Sequence, residues 1–157
     1  MIEILYINNI LTESIVDGPG LRITIFLQGC IHECKGCHNP QTWNLYSGGY
    51  DITVDDLVVE IVKRFTPLHQ GITFSGGEPL LQSLKLLKFI ESLKKIITFD
   101  TVLYTGYLYE HVHNDKLLEH VDILIDGPFI LEKRDISLQW RGSSNQRIIY
   151  LKNGEKI

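Results

Sequence analysis

Hydrophobic and polar positions along this chain fall into blocks that switch between the two-residue period of strands and the ~3.6-residue period of helices. Residues 2–11 are an apolar run with the character of a strand or extended arm. A dense turn signal, Val16-Asp17-Gly18-Pro19-Gly20, leads into residues 21–27, where β-forming side chains place Leu21, Ile23, Ile25 and Leu27 on one face. Ser47-Gly48-Gly49-Tyr50 is a further turn. Thr53 then precedes a helical stripe of Val54, Leu57, Val58, Ile61 and Phe65, with Asp56 spaced for a capping box and Pro67 as a stop. Residues 71–75 form a short buried strand running into Gly76-Gly77-Glu78-Pro79. Residues 80–95 are helical, with Leu84, Leu87, Ile90 and Leu93, or Leu86 and Leu93, turned inward. Strands follow at 101–104 and 121–125, with a short helix between them over about 108–120, and 147–151 reads as a fifth strand.

Strands alternating with helices imply βαβ units and a parallel sheet. Each of the first four strands ends in a polar or glycine-rich motif: the cysteine loop after residue 27, Gly76-Gly77-Glu78-Pro79, Thr105-Gly106-Tyr107 and Asp126-Gly127-Pro128-Phe129. Sites in parallel α/β folds lie at the carboxyl ends of the strands, so these four segments are expected to converge. The expected architecture is α/β: an open, partial parallel β/α barrel of about five strands, since too few units are present to close an eightfold barrel. A length of 157 residues with 44% hydrophobic content fits a single domain over 1–157.

The net charge of −4 and scattered basic residues argue against nucleic acid as a partner. No apolar run approaches the ~20 residues of a membrane span, and the short N-terminus, with Glu3 and no basic region, does not read as a signal peptide. A cytoplasmic protein without a membrane partner is the expectation. The cysteines sharpen it, because three thiols crowded into one loop form no disulfide framework and suit a reducing compartment.

Those three, Cys30, Cys34 and Cys37, are the only cysteines in the chain. Three soft ligands at spacings of four and three residues suit an iron–sulfur cluster with one iron left open. A structural zinc site completed by His32 or His38 is the competing reading, although no second half-site exists. A catalytic thiol is the third, and three clustered cysteines exceed what a nucleophile needs. The Gly76-Gly77-Glu78 turn is either a tight strand-to-helix junction or a place where a ligand lies against bare backbone, with Glu78 and peptide carbonyls accepting from an ammonium group.

Taken together, Cys30-x3-Cys34-x2-Cys37 and Gly76-Gly77-Glu78 resemble the radical S-adenosylmethionine superfamily. Within it, residues 16–22 (Val-Asp-Gly-Pro-Gly-Leu-Arg), Gln28-Gly29-Cys30 and Cys37-His38-Asn39-Pro40-Gln41-Thr42-Trp43 are similar to the activating enzymes of glycyl-radical proteins. Pyruvate formate-lyase activating enzymes share this front half but are longer, and dehydratase-type activases carry a cysteine-rich insert that this chain lacks. The short length, with Thr105-Gly106-Tyr107, Asp126-Gly127-Pro128-Phe129 and residues 140–147, resembles the branch serving anaerobic (class III) ribonucleoside-triphosphate reductase.

The resemblance implies that Cys30, Cys34 and Cys37 hold a [4Fe–4S] cluster whose fourth iron takes the amino and carboxylate groups of S-adenosylmethionine. Gly76, Gly77 and Glu78 would bind the methionyl ammonium, and backbone around Gly36, Cys37 and His38 would line the nucleoside side. Gly36 stands where the superfamily often has an aromatic residue, which makes His38 the candidate to flank the adenine. Reductive cleavage would give a 5′-deoxyadenosyl radical that takes a hydrogen atom from a glycine of the reductase, with the electron coming from a low-potential donor such as flavodoxin. Asp126 is either an S-adenosylmethionine contact or a turn-forming residue; Arg141 and Arg147 are carboxylate or partner contacts, or surface ion pairs; Asn145 is a turn residue. The rival functions are a pyruvate formate-lyase-type activating enzyme, another radical enzyme acting on a small molecule and, outside enzymes, a zinc-stabilised binding module.

Overall fold

The computed structural model describes residues 2–44 and 47–157; Met1, Leu45 and Tyr46, which fall within the expected 1–157 domain, lie outside the described residues. Strand β1 (Ile4–Ser14) runs antiparallel to β2 (Arg22–Leu27), and the short β3 (Tyr50–Thr53) pairs with the other side of β1. β2, β4 (Gly71–Gly76), β5 (Asp100–Tyr104) and β6 (Ile123–Asp126) form the parallel centre, while β7 (Arg147–Lys152) and β8 (Glu155–Lys156) add antiparallel strands at the far edge. The sheet order is β3-β1-β2-β4-β5-β6-β7-β8. This corrects the expectation of about five strands, all parallel: the sheet is mixed and has eight strands among the described residues, paired in linear order. The reason lies in the short segments. β3 hides in what reads as a turn plus a helix cap, and β8 is a two-residue return with no period to detect.

Helix α1 (Val54–Arg64) begins where the sequence places it, with the Thr53 hydroxyl accepting from the Asp56 backbone N–H at 3.0 Å. A 3-10 turn (Pro79–Gln82) leads into α2 (Ser83–Lys94). In α2 the buried stripe is Leu86, Phe89, Ile90 and Leu93, whereas Leu84 is 73% exposed, so the inward face is one position removed from the Leu84–Leu87 alternative. Both helices bury these stripes with Ile23, Ile25, Leu27, Ile72, Phe74 and Leu103 in one large core.

Side chains alternate across a strand, which assigns the other face of the sheet its residues. On β2 that face carries Arg22, Thr24 and Phe26, an unusual row for a central strand because two of the three are polar and fully buried. The loop holding Asp17 and Pro19 satisfies them. Arg22 donates to the Pro19 carbonyl at 2.9 Å and the Thr73 hydroxyl at 2.7 Å, and pairs with Asp100 at 2.5 Å. The Thr24 hydroxyl donates to the Asp17 carboxylate at 3.1 Å, and the Thr73 hydroxyl donates to the Asp17 carbonyl at 2.7 Å. The turn signal of residues 16–20 is thus a flap tied over the sheet face that leads to the strand ends.

Candidate active site

The cysteine loop leaves the end of β2 and is closed at its base by backbone pairing. Gly29 N–H donates to the Thr42 carbonyl at 2.5 Å and Cys30 N–H to the Trp43 carbonyl at 3.0 Å. Beneath it Gln28, almost fully buried, donates to the carbonyls of Gln41 (3.1 Å), Ser47 (2.7 Å) and Asn44, and accepts from the Asn8 amide at 2.9 Å. Within the loop Cys37 N–H donates to the Cys34 carbonyl at 3.1 Å. That turn needs Gly36, whose φ of +76° suits glycine and whose missing Cβ would sit 2.7 Å from Leu131 Cδ1. That left-handed backbone disfavours any side chain, which accounts for the glycine where an aromatic residue is the common pattern.

All three cysteines are free, half-buried and line one cavity at the carboxyl ends of the parallel strands. Gly76 and Gly77 form its floor, Thr105 and Gly106 one side, and Gly127 and Phe129 another. The four strand-end motifs named from the sequence do meet, with each contributing at least one residue. His38 packs against Phe129 with ring centroids 5.1 Å apart, both on the cavity wall. Sequence reasoning assigned no site role to Asp17, Phe26, Ser75 or Tyr104, which also line it. The strand period would have found Phe26, since it lies on the face opposite Ile25. Tyr104 donates to the Trp140 carbonyl at 2.7 Å, and burial pushes its phenol far up from the ordinary value.

Two candidates sit behind the wall rather than on it. Asp126 shares its strand face with Leu124 and is fully buried; it accepts from Tyr109 N–H at 2.8 Å and from Arg147 Nε at 3.0 Å, its partner in the β6–β7 register. Arg147 in turn holds Glu110 through two bonds of 2.8 and 2.7 Å. Asp126 and Arg147 thus pair with each other in an ion-pair network near the sheet edge, outside the residues that line the cavity. Asn145 donates to the Pro128 carbonyl at 2.8 Å, as a turn residue would, and Arg141 reaches the cavity.

Hydrogen bonds from Arg147 hold the Glu110 carboxyl at about 2, below its ordinary 4.5. A carboxyl depressed by folding stabilises above its unfolded pKa and loses that contribution as pH falls through the folded value. The apoprotein of Glu110→Gln should therefore be less stable than wild type near neutral pH, with the gap in urea midpoint closing as pH falls from about 4.5 toward 2. A gap independent of pH would contradict the pairing.

Glu78 is fully buried. Its Oε1 accepts from Gly106 N–H at 2.7 Å, the Thr105 hydroxyl at 2.9 Å and His32 Nε2 at 2.6 Å, and its Oε2 accepts from Leu80 N–H at 3.1 Å. His32, offered by the sequence as a zinc ligand, is committed to this bond and packs edge-on to Tyr107 at 4.6 Å. Among the described residues no three His, Cys, Asp or Glu side chains are arranged to hold a single metal ion.

Burial raises the Cys30 thiol above its ordinary value; Glu78 and the other two cysteines push the same way, against a bond from the His32 backbone. A cation bound at Cys30 reverses that push by taking the thiolate as a ligand. The donor chemistry of the three cysteines and their shared cavity suit an iron–sulfur cluster.

The comparisons with known proteins give the class first. Residues 16–149 match the family described as a 4Fe-4S single cluster domain. The chain is 38% identical over 142 residues to the anaerobic ribonucleoside-triphosphate reductase-activating protein of Vibrio cholerae, covering 86% of this chain and 91% of that one. It is 35% identical over 145 residues to the protein of that name from Escherichia coli K12 (88% and 94%) and 34% identical over 143 residues to that of phage T4 (85% and 86%). A crystal structure of QueE from Escherichia coli shares the fold, with a TM-score of 0.52 at 24% identity over 66% of this chain and 52% of that one. The chain belongs to the family of anaerobic ribonucleoside-triphosphate reductase-activating proteins. That membership sets aside the zinc-stabilised module.

Proposed function

We propose that this chain activates an anaerobic ribonucleoside-triphosphate reductase by generating a glycyl radical on it. The observation that carries the reading is the meeting of the three cysteines with Gly76 and Gly77 in one cavity, in a chain whose relatives are named as activators of that reductase. Cys30, Cys34 and Cys37 would hold three irons of a [4Fe–4S] cluster, and S-adenosylmethionine would complete the fourth. When bound, the reduced cluster supplies one electron that splits S-adenosylmethionine into methionine and a carbon radical able to take a hydrogen atom from glycine.

The chain's own residues bind and shield. Gly76 and Gly77 would present bare backbone to the methionyl end and the peptides of Gly36 to His38 would face the nucleoside end; of these three, Cys37 and His38 line the cavity, with the His38–Phe129 pair as an aromatic flank. Phe26, Trp140 and Phe129 supply apolar wall that excludes water from the reacting centre. The partner is the reductase, the electron source a low-potential donor such as flavodoxin, and the compartment the cytoplasm; no described helix is long and apolar enough to cross a membrane. Residues 1–157 act as one domain.

Anaerobically reconstituted protein, reduced and given S-adenosylmethionine, should contain about four irons per chain and release 5′-deoxyadenosine. Zinc as the bound metal with no cleavage would overturn the reading.

A further inference from the structure

The Glu78 carboxylate offers roughly four acceptor positions, and four groups of the protein fill them, the Thr105 hydroxyl standing 2.9 Å from Oε1 and 3.0 Å from Oε2. They come from three separate elements: Leu80 from its own turn, Thr105 and Gly106 from the end of β5, and His32 from the middle of the cysteine loop. His32 lies between Cys30 and Cys34, and its Nε2 stands 2.6 Å from Glu78 Oε1, in place to donate to it. The fit is close on every side. A Cβ at Gly106 would stand 2.5 Å from the His32 ring, and the ring's other flank meets Tyr107.

We propose that His32 and Glu78 are positioning residues that tie the cysteine loop to the ends of β4 and β5, fixing the distance between the cluster and the backbone floor at Gly76–Gly77. On this view the Glu78 side chain is a buried post and not an ammonium contact; the ammonium is left to peptide carbonyls. Charge and satisfaction make the tie strong. A fully buried carboxylate needs its donors, and the His32 bond is the one that reaches it from the cluster loop. The inference rests on the function proposed above, since it concerns how S-adenosylmethionine is placed against the cluster.

The test compares wild type, His32→Ala and His32→Gln, whose amide N–H reaches about as far as Nε2. Two readouts are followed: the change S-adenosylmethionine induces in the EPR spectrum of the reduced, reconstituted protein, and amide hydrogen exchange across residues 31–37 in the apoprotein. His32→Ala should keep wild-type iron content, since all three cysteines remain, yet need ~10-fold or more S-adenosylmethionine for the same spectral change. Its loop amides should exchange faster, and His32→Gln should recover most of both losses. A His32→Ala protein that titrates within twofold of wild type, or a loop whose exchange is unchanged, overturns the proposal. Wild-type protein that holds a cluster but ignores S-adenosylmethionine would instead sink the functional reading. The tie would then stand or fall on the exchange data alone.

Discussion

Cys30→Ala, Cys34→Ala and Cys37→Ala each abolish the iron–sulfur chromophore after anaerobic reconstitution, and with it all 5′-deoxyadenosine formation. The expected loss exceeds the ~10–100-fold typical of removing a supporting partner of a metal ligand, because the cluster itself loses a bond. The chain has no spare thiol to substitute, and of the two imidazoles on the loop His32 is held at 2.6 Å from Glu78 and His38 packs against Phe129. Iron and sulfide analysis with the visible spectrum decides it. The folded scaffold should survive, since the cysteines are half-buried and outside the core that α1 and α2 share with the sheet. Full cluster content in any one variant would remove that cysteine from the ligand set.

Gly77→Ala carries the second large effect, and it acts through packing. A Cβ there would stand 2.2 Å from the Gly29 carbonyl oxygen, 2.7 Å from its carbon and 3.0 Å from the Thr42 oxygen. All three are backbone atoms at the base of the cysteine loop, so no rotamer change relieves the clash. Overpacking of this kind costs about 1–3 kcal/mol, or roughly 2–12 °C in Tm for a domain of this size. The loop must also lift from the strand ends, since Glu78 N–H donates to that same Gly29 carbonyl at 2.7 Å. Apoprotein calorimetry should therefore show a lower Tm, and the loaded protein weaker S-adenosylmethionine binding. A variant as stable as wild type would mean that the glycine serves ligand access alone.

Much of the frame was legible because its signals are local. β2, β4, β5, β6 and β7 follow from apolar runs, and the Thr53 cap from a hydroxyl three residues ahead of Asp56. The convergence of the strand ends followed from the parallel connections. What escaped is what depends on partners distant in sequence. β3 exists because β1 offers it an edge, and β7 runs antiparallel because the connection over 127–146 holds only a 3-10 turn (Leu131–Lys133) and no crossover helix. In the site, Asp126 looked like a pocket residue from its place in a motif, but period-two alternation puts it on the face opposite Ile125, where Arg147 meets it. Glu78 likewise reads as a ligand from its motif. Its burial and its four donors depend on residues up to 46 positions away, which no local pattern reports.

The central claim is that this chain places a radical on a reductase, and one measurement reaches it directly. Reconstituted, reduced protein is mixed anaerobically with S-adenosylmethionine and an anaerobic ribonucleoside-triphosphate reductase, and the EPR spectrum is recorded. The account predicts a glycyl-radical doublet that requires this chain, S-adenosylmethionine and reductant together, and that is lost with Cys34→Ala. Cleavage of S-adenosylmethionine with no doublet on the reductase would contradict it and point to a small-molecule substrate.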